Sequence, residues 1–218
     1  MVTIVKGSVP AEEFALSRTL REFPGAEFEV ERIVDSGSET VMPMLWVRDE
    51  SPEEITPVLK DDPTVDKVDL VGNFDNESLY WMEWINKVQL VVQMLTNSEA
   101  TILSAFGRGD AWQIRAMYPT RDLFSKTHRF VEDRDMQFDI EAIREMDGEP
   151  AGRYGLTVEQ HEALVAAAKA GYYDVPRETS LEELAEEMDV SHQALSERLR
   201  RATEALVEDT ILVGQLTD

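Results

Sequence analysis

The sequence contains no cysteine and only three histidines. Without cysteine there is no disulfide, no thiolate nucleophile, no zinc–thiolate site and no iron–sulfur cluster. The histidines, His128, His161 and His192, are scattered, so a histidine-built metal site is not expected. No apolar run approaches the roughly 20 residues that span a bilayer, and the N-terminus lacks the apolar stretch of a signal peptide. We therefore expect a soluble cytoplasmic protein that binds neither a metal, nor another cofactor, nor a membrane.

Lysine is also scarce, whereas acid is abundant. The 218 residues include 44 Asp and Glu against 21 Lys and Arg, of which 6 are Lys, for a net charge of −23. The acids are spread along the chain, which is typical of surfaces adapted to molar salt, where self-repulsion is screened. An acidic interaction protein from an ordinary cytoplasm is the alternative. Because 43% of the residues are hydrophobic, we expect a folded core rather than disorder.

A stretch rich in glycine, 145–155, separates two parts of different pattern. Its sequence, EMDGEPAGRYG, has three Gly and one Pro and little apolar content, which predicts a linker. Before it, strand patterns alternate with amphipathic helical patterns, and after it the pattern is helical almost throughout. We therefore predict an N-terminal domain at 1–146 and a C-terminal domain at 153–218.

The order of predicted elements before the linker occurs twice. Strand, helix, two strands, helix and strand are predicted over 2–71, with the first helix at Pro10–Arg21, and the order recurs over 79–143. Corresponding elements lie about 70 to 74 residues apart. A βαββαβ unit is the ferredoxin-like motif. The predicted fold class is α+β, with a tandem ferredoxin-like regulatory or dimerisation domain followed by an all-α domain.

No catalytic constellation is visible in the N-terminal part. The run Gly107-Arg108-Gly109 lies between two predicted strands, so a hairpin turn explains it better than a phosphate-binding loop. The aromatic residues predict core packing, with a small-molecule pocket as the alternative; they are Trp46, Tyr80, Trp81, Trp84, Trp112 and Tyr118. We expect no enzyme activity and no catalytic residue.

Residues 156–218 have the pattern of three capped helices. The expected caps are Thr157 with Gln160, Ser180 with Glu183, and Ser191. The second helix, Leu181–Met188, and the third, His192–Val207, are joined by a tight turn at Asp189-Val190. Ala185 is the small residue that a close crossing needs. The expected buried stripe of the third helix is Leu195, Leu199, Ala202 and Leu206. This is the spacing of a helix-turn-helix domain.

The opposite face of the third helix carries side chains that suit DNA. The base-reading candidates are His192, Gln193, Ser196, Glu197 and Arg200, and the phosphate-contacting candidates are Arg177, Arg198 and Arg201. The recognition segment is predicted to be Ser191–Thr203. From residue 152 onward there are 6 basic and 14 acidic residues, a net of −8, so binding must depend on local placement.

Several motifs resemble those of haloarchaeal bacterio-opsin-activator-type regulators. They include Leu156-Thr157-x-x-Gln160, Gly171-Tyr172-Tyr173-x-x-Pro176-Arg177, Ser180-Leu181-Glu182-Glu183-Leu184-Ala185 and Ser191-x-x-Ala194-Leu195-Ser196-Glu197-Arg198-Leu199-Arg200-Arg201-Ala202. Two further motifs, Tyr80-x-x-Glu83-Trp84 and Trp112-x-x-Arg115, resemble the domain that accompanies the helix-turn-helix domain in that family. The resemblance implies a transcription regulator of a halophilic archaeon that binds double-stranded DNA.

Other partners follow from this interpretation. A single helix-turn-helix reads about one half-site, so we expect a homodimer, formed through exposed sheet edges of the N-terminal domain. We also expect that domain to bind a small-molecule effector or a partner protein between its two repeats; the other hypothesis is that it only dimerises. The alternative function is a ligand-binding or protein-interaction module whose helical domain docks a protein, such as the basal transcription machinery.

Overall fold

The N-terminal unit, Met1–Glu145, alternates strands and helices in the computed structural model, which describes residues 1–35, 41–85, 88–146 and 155–210. Its described strands are β1 Val2–Pro10, β2 Glu27–Asp35, β3 Val41–Arg48, β4 Val65–Asn73, β5 Glu77–Trp84, β6 Thr101–Arg108, β7 Ala111–Tyr118 and β8 Asp139–Met146. Its described helices are α1 Ser17–Glu22, α2 Pro52–Lys60, α3 Gln89–Val92 with the π-helical turn Gln93–Asn97, and α4 Arg121–Glu132. The predicted linker lies mostly outside the described residues.

All eight of these strands belong to one sheet, in the order β4-β5-β3-β2-β6-β7-β1-β8. The first strand of each repeat therefore lies in the other repeat's half: β5 sits between β4 and β3, and β1 sits between β7 and β8. Leu45 is paired with Tyr80, and Val5 with Ala116. The two halves join where β2 pairs antiparallel with β6, at Phe28 and Gly107.

The predicted combination of a strand-and-helix domain with a helical domain is confirmed. The predicted tandem ferredoxin-like topology is not confirmed, because the strands form a single eight-stranded sheet in which the first strand of each repeat pairs with strands of the other repeat. The element order within each repeat is set locally, whereas the choice of pairing partner is made between distant strands of similar pattern.

The core of this unit lies between the sheet and the helices and is rich in aromatic rings. Tyr80, Trp84, Trp112 and Tyr118 are fully buried, so core packing is confirmed for these four, while Trp46 and Trp81 are half-buried. The Trp84 and Trp112 ring centroids lie 6.2 Å apart although three strands separate β5 from β7. Flat strands at about 4.8 Å spacing would hold them much farther apart, so the sheet curves around its core.

The first helix is shorter than the sequence predicts. Instead of a helix over Pro10–Arg21, β1 runs through Pro10 and α1 spans only Ser17–Glu22. The Ala11 N–H donates to the Asp110 carbonyl at 2.7 Å, which continues the pairing of β1 with β7. Leu16 adopts a left-handed φ of 58° and donates its N–H to Thr64 Oγ1 at 3.0 Å. Long-range contacts thus override the local helical pattern.

The C-terminal unit, Met146–Asp218, has three helices among its described residues: α5 Val158–Lys169, α6 Leu181–Glu187 and α7 His192–Thr210. Its core is made of small and aliphatic side chains, namely Ala163, Ala167, Leu184, Ala185, Leu195 and Leu199. A second cluster around Leu156 and Ala202 extends the packing along α7. The predicted helical character of this part is confirmed.

Candidate nucleic-acid interface

Each described helix of the C-terminal unit begins at a side chain that caps backbone N–H groups. Thr157 Oγ1 accepts from the Gln160 N–H at 3.3 Å, and the Thr157 N–H donates to Gln160 Oε1 at 2.9 Å. Ser180 and Glu183 form the same reciprocal box, at 3.1 and 2.7 Å. Ser191 Oγ accepts from a first-turn N–H of α7 at 3.1 Å. The predicted caps are confirmed, and they fix where the chain enters each helix.

The turn Met188–Ser191 joins α6 to α7 at a close crossing. Asp189 takes a left-handed φ of 53°, a conformation that Asp tolerates better than most residues. The Val190 N–H donates to the Ala185 carbonyl at 3.0 Å and so closes the end of α6. Ala185 is only 3% exposed, and its small side chain allows the helices to approach.

One stripe of α7 faces the core of the unit, which leaves the opposite stripe to solvent. Leu195, Leu199 and Ala202 are buried, and Leu206 is partly buried against the second cluster. These residues recur every three or four positions, as one face of a helix does. The predicted buried stripe is confirmed, so the residues half a turn away project outward.

The structure places most of the predicted site residues on the exposed side of α7. Ser191, His192, Gln193, Ser196, Glu197, Arg200 and Arg201 are exposed. Arg198 is half-buried, and Arg177 lies exposed on the α5–α6 loop. The first turns of α7 thus present imidazole, amide, hydroxyl and guanidinium groups together, and such groups pair with base edges in a major groove.

The four arginines of this region have different partners. Arg201 lies 3.7 Å from Glu197. Arg198 is close enough to Glu159 to help lower the pKa of that carboxyl, after the larger effects of hydrogen bonds from the Glu159 N–H and Thr157. Among the described residues, Arg177 and Arg200 have no carboxylate within ion-pair distance. These two guanidinium groups are therefore free to meet an external anion or acceptor.

Two residues beside the candidate interface were not among the site residues that the sequence predicts. Glu182 Oε1, in the first turn of α6, lies 4.0 Å from His192 Nε2 and so sets an acid beside the first base-reading candidate. The Tyr172 ring lies under the Arg177 guanidinium, 4.6 Å from it. Glu182 is one acid among several in α6, and Tyr172 lies in an irregular loop, so neither stands out by spacing.

Two helices joined by a tight turn, with a capped second member whose outer face is exposed and a further helix packed against them, define a helix-turn-helix domain. In agreement, residues 156–208 match the family described as an HTH DNA binding domain. Residues 5–156 match the GAF and HTH_10 associated domain, and the chain belongs to this family. The identification as a helix-turn-helix regulator of the bacterio-opsin-activator type is thereby confirmed.

Part of this sequence is similar to a curated relative. The dimethyl sulfoxide reductase transcriptional activator of Haloferax volcanii is 50% identical over 44 residues, which are 20% of this chain and 21% of the relative. The match therefore spans about a fifth of the length of that relative. Its organism is consistent with the archaeal source that the sequence predicts.

Neither a metal centre nor a membrane span is found in the described parts of the chain. Within the ranges that the structure describes, no three histidine or acidic side chains gather as metal ligands would. The helices of those ranges are too short or too polar to cross a bilayer.

Proposed function

We propose that this chain is a sequence-specific transcription regulator that places the N-terminal half of α7 in the major groove of double-stranded DNA. The observation that carries the proposal is the exposed face of α7, where Gln193, Ser196 and Arg200 project together while Leu195 and Leu199 anchor the other side. The major groove, about 12 Å wide, admits one α-helix and displays a distinct donor and acceptor pattern for each base pair.

The proposed roles follow from position along the recognition segment, Ser191–Thr203. The residues assigned to base edges are His192, Gln193, Ser196, Glu197 and Arg200, and those assigned to phosphates are Arg177, Arg198 and Arg201. Arg200 is the strongest base-reading candidate, because no described carboxylate is within ion-pair distance of its guanidinium, which can then donate two hydrogen bonds to guanine.

The acidity of the region does not prevent this mode of binding. Nine of the 14 acids from residue 152 onward precede α7, so they lie outside the segment assigned to the groove. In the molar salt for which we propose that this surface is adapted, counterion release contributes little to DNA affinity. Complementary contacts from a few side chains then matter more than net charge.

For the N-terminal domain, 1–146, we propose a pair of ferredoxin-like motifs that exchange their first strands and that dimerise the protein. Support comes from the sheet order, in which each half has a four-stranded arrangement completed by β5 or β1 from the other repeat. The outermost strands, β4 and β8, leave backbone groups that a second copy can pair with. Two copies of the C-terminal domain, 153–218, then reach two half-sites.

An effector and the basal transcription machinery remain proposed partners. We propose that the effector binds between the two repeats. A cavity of about 810 Å³ lies where the β3–α2 loop meets the β4–β5 hairpin, and its lining is polar, with acidic residues that include Asp49, Glu54 and Asp75. The name of the Haloferax relative, a transcriptional activator, supports regulation of transcription as the outcome.

The test is duplex binding at several KCl concentrations, with genome-wide mapping of bound DNA to supply the operator. We expect Arg200→Ala to weaken specific binding by about 1–3 kcal/mol and to relax preference at one base pair. A matched control is Arg18→Ala in the N-terminal unit, which removes an exposed arginine far along the chain from α7.

Three outcomes would change the assignment. A uniform loss over all sequences would make Arg200 a phosphate contact. An unchanged affinity would remove Arg200 from the interface. If the parental chain binds no duplex at any salt concentration, then the protein-docking alternative replaces DNA reading.

A further inference from the structure

The loop between α5 and α6 is closed at its base. The Gly171 carbonyl accepts hydrogen bonds from the Asp174 N–H at 3.2 Å and the Glu178 N–H at 3.1 Å. Gly171 has a φ of 71°, and a Cβ at this position would lie 2.8 Å from Glu178 Cβ. Glycine is therefore required twice, for its backbone angle and for the close approach of Glu178.

The loop turns its inner residue toward the core and its tip toward solvent. Tyr172 is partly buried and packs against the core cluster of the C-terminal unit. The Tyr173 ring lies edge-on to it, with centroids 5.2 Å apart. Val175, at the tip, is 99% exposed. The loop is thus attached to the unit through Tyr172 and projects into solvent at Val175.

Arg177 is held on this projection by a ring and not by a carboxylate. Its guanidinium carbon lies 4.6 Å from the Tyr172 centroid. Its neighbour Glu178 folds over Gly171, and no described carboxylate is within ion-pair distance of Arg177. A guanidinium stacked on a ring keeps its N–H groups pointing outward, and it loses less side-chain freedom when it binds an anion.

This arginine lies just before α6, whose first turn approaches the start of α7. It precedes the Ser180 cap by three residues, and Glu182 of the next turn lies 4.0 Å from His192 at the start of α7. Five residues of chain span at most about 17 Å. Arg177 therefore lies no more than about 17 Å from Glu182, a distance of the order of the major-groove width of about 12 Å.

We propose that the α5–α6 loop is a second DNA-contacting element, in which Tyr172 holds Arg177 in position for a backbone phosphate. The inference rests on the proposed function and extends it to a residue with a positioning role. Arg177 is the contacting residue and Tyr172 the positioning residue. Because phosphates carry no sequence information, this contact strengthens binding to every duplex alike.

The test compares two duplexes of equal length: one selected by the parental chain from a random library, and one unrelated. Full-length chains are used at the lowest KCl concentration that preserves their circular dichroism. Arg177→Ala should weaken binding to both duplexes by about tenfold, the effect of losing one hydrogen bond to a charged group. It should also reduce the salt slope by about 1.

Tyr172 is tested by its coupling to Arg177. Tyr172→Leu keeps an apolar contact with the core but removes the ring, so it should weaken binding in the parental chain and have no effect in Arg177→Ala. Tyr172→Phe should restore most of the affinity lost in Tyr172→Leu, because it restores the ring. The control is Arg134→Ala, since Arg134 is stacked on Phe130 at 3.9 Å in the N-terminal unit and should leave both affinities unchanged.

The outcomes separate this inference from the function on which it rests. Failure of the parental chain to bind either duplex overturns the proposed function. Parental binding together with unchanged affinity and salt slope in Arg177→Ala overturns the second contact alone. A loss confined to the selected duplex also overturns it, because Arg177 would then read a base. An equal cost of Tyr172→Leu in both backgrounds overturns the positioning role.

Discussion

The two units of the chain use their arginines and lysines differently. In the described part of the N-terminal unit, many basic side chains lie within 4.0 Å of a carboxylate, among them Lys6, Arg18, Arg21, Arg48, Lys67, Arg108 and Arg121. In the C-terminal unit, Arg177 rests on a ring, and no carboxylate of the described residues lies within ion-pair distance of Arg200. Exposed pairs add little stability, but they cancel charge locally. The charges of Arg177 and Arg200 are not cancelled in this way, which fits their place in the proposed DNA interface.

The two cores differ as well. The N-terminal core holds large rings such as Trp84, Trp112 and Phe14, whereas the C-terminal core consists of alanine and leucine. A small core of this kind buries less apolar surface and so supplies less stability against the chain's own charge repulsion. All four tryptophans lie within the N-terminal unit, at positions 46, 81, 84 and 112. Their fluorescence therefore reports on that unit separately.

Unfolding at low salt is the largest effect expected from the difference in stability between the two units. As KCl falls from molar concentration, carboxylate repulsion is no longer screened. We expect the helical circular dichroism of α5–α7 to be lost first and the tryptophan fluorescence of the N-terminal unit to change at lower salt. A single coincident transition would contradict the unequal stability of the units. Full secondary structure in dilute buffer would contradict the proposed adaptation to salt.

A smaller effect, which also tests the unequal stability of the two units, is expected from Leu195→Ala at the centre of the helical core. Leu195 is fully buried, so its truncation should cost about 2–5 kcal/mol. We expect this to unfold α5–α7 and abolish duplex binding while the tryptophan signal stays native. Leu103→Ala is the matched control, because Leu103 is 40% exposed and should shift neither transition measurably. A fluorescence change in Leu195→Ala would show that the units unfold together.

The structure of the C-terminal unit agrees closely with the prediction from the sequence, because the signals that determine its helices and turns are local. A cap and its partner are three residues apart, as at Ser180 and Glu183, and the turn residue Asp189 prefers its left-handed conformation by itself. The buried stripe of α7 is likewise set by helical periodicity. Which side chains project toward DNA could therefore be predicted, although what they contact there is still a prediction.

The strand pairing of the N-terminal unit and the position of Arg177 in its loop depend on contacts that no local sequence pattern encodes. The pattern of polar and apolar residues within β1 or β5 does not specify a pairing partner, so nothing within either strand says which half of the sheet it completes. The start of α1 is set by Thr64, 48 residues away from Leu16. The stacking of Arg177 on Tyr172 lies in an irregular loop, where neither a helical nor a strand period applies.

A buried carboxylate in the N-terminal unit tests whether its stability depends on such long-range contacts. Asp62 is 2% exposed, and its two oxygens accept four hydrogen bonds, two from Thr19 and two from Thr64, at 2.6–3.0 Å. Asp62→Ala leaves these donors unpaired and should cost about 3 kcal/mol. Only the fluorescence transition should move in urea titrations. The neighbouring Asp61→Ala removes an exposed carboxylate 3.9 Å from Arg18 and should cost under about 0.5 kcal/mol.

The smallest expected difference between the units appears at alkaline pH. Burial raises the pKa of the Tyr118 hydroxyl from 10.0 to about 12. Between these values the unfolded chain loses this proton while the folded chain keeps it. The stability from the buried phenol is therefore complete below pH 10 and is lost as pH rises toward 12, by up to about 2 kcal/mol.

Removing the phenol isolates this effect from other groups that titrate in the same range. Tyr118→Phe keeps the ring, which packs 5.4 Å from Phe124, and has nothing to ionise. We expect the urea midpoint, followed by tryptophan fluorescence, to fall less in Tyr118→Phe than in the parental chain from about pH 9 to about pH 11. Equal falls would mean that Tyr118 ionises alike in the folded and unfolded chains. The enclosed aromatic core would then not be what makes the N-terminal unit sensitive to alkali.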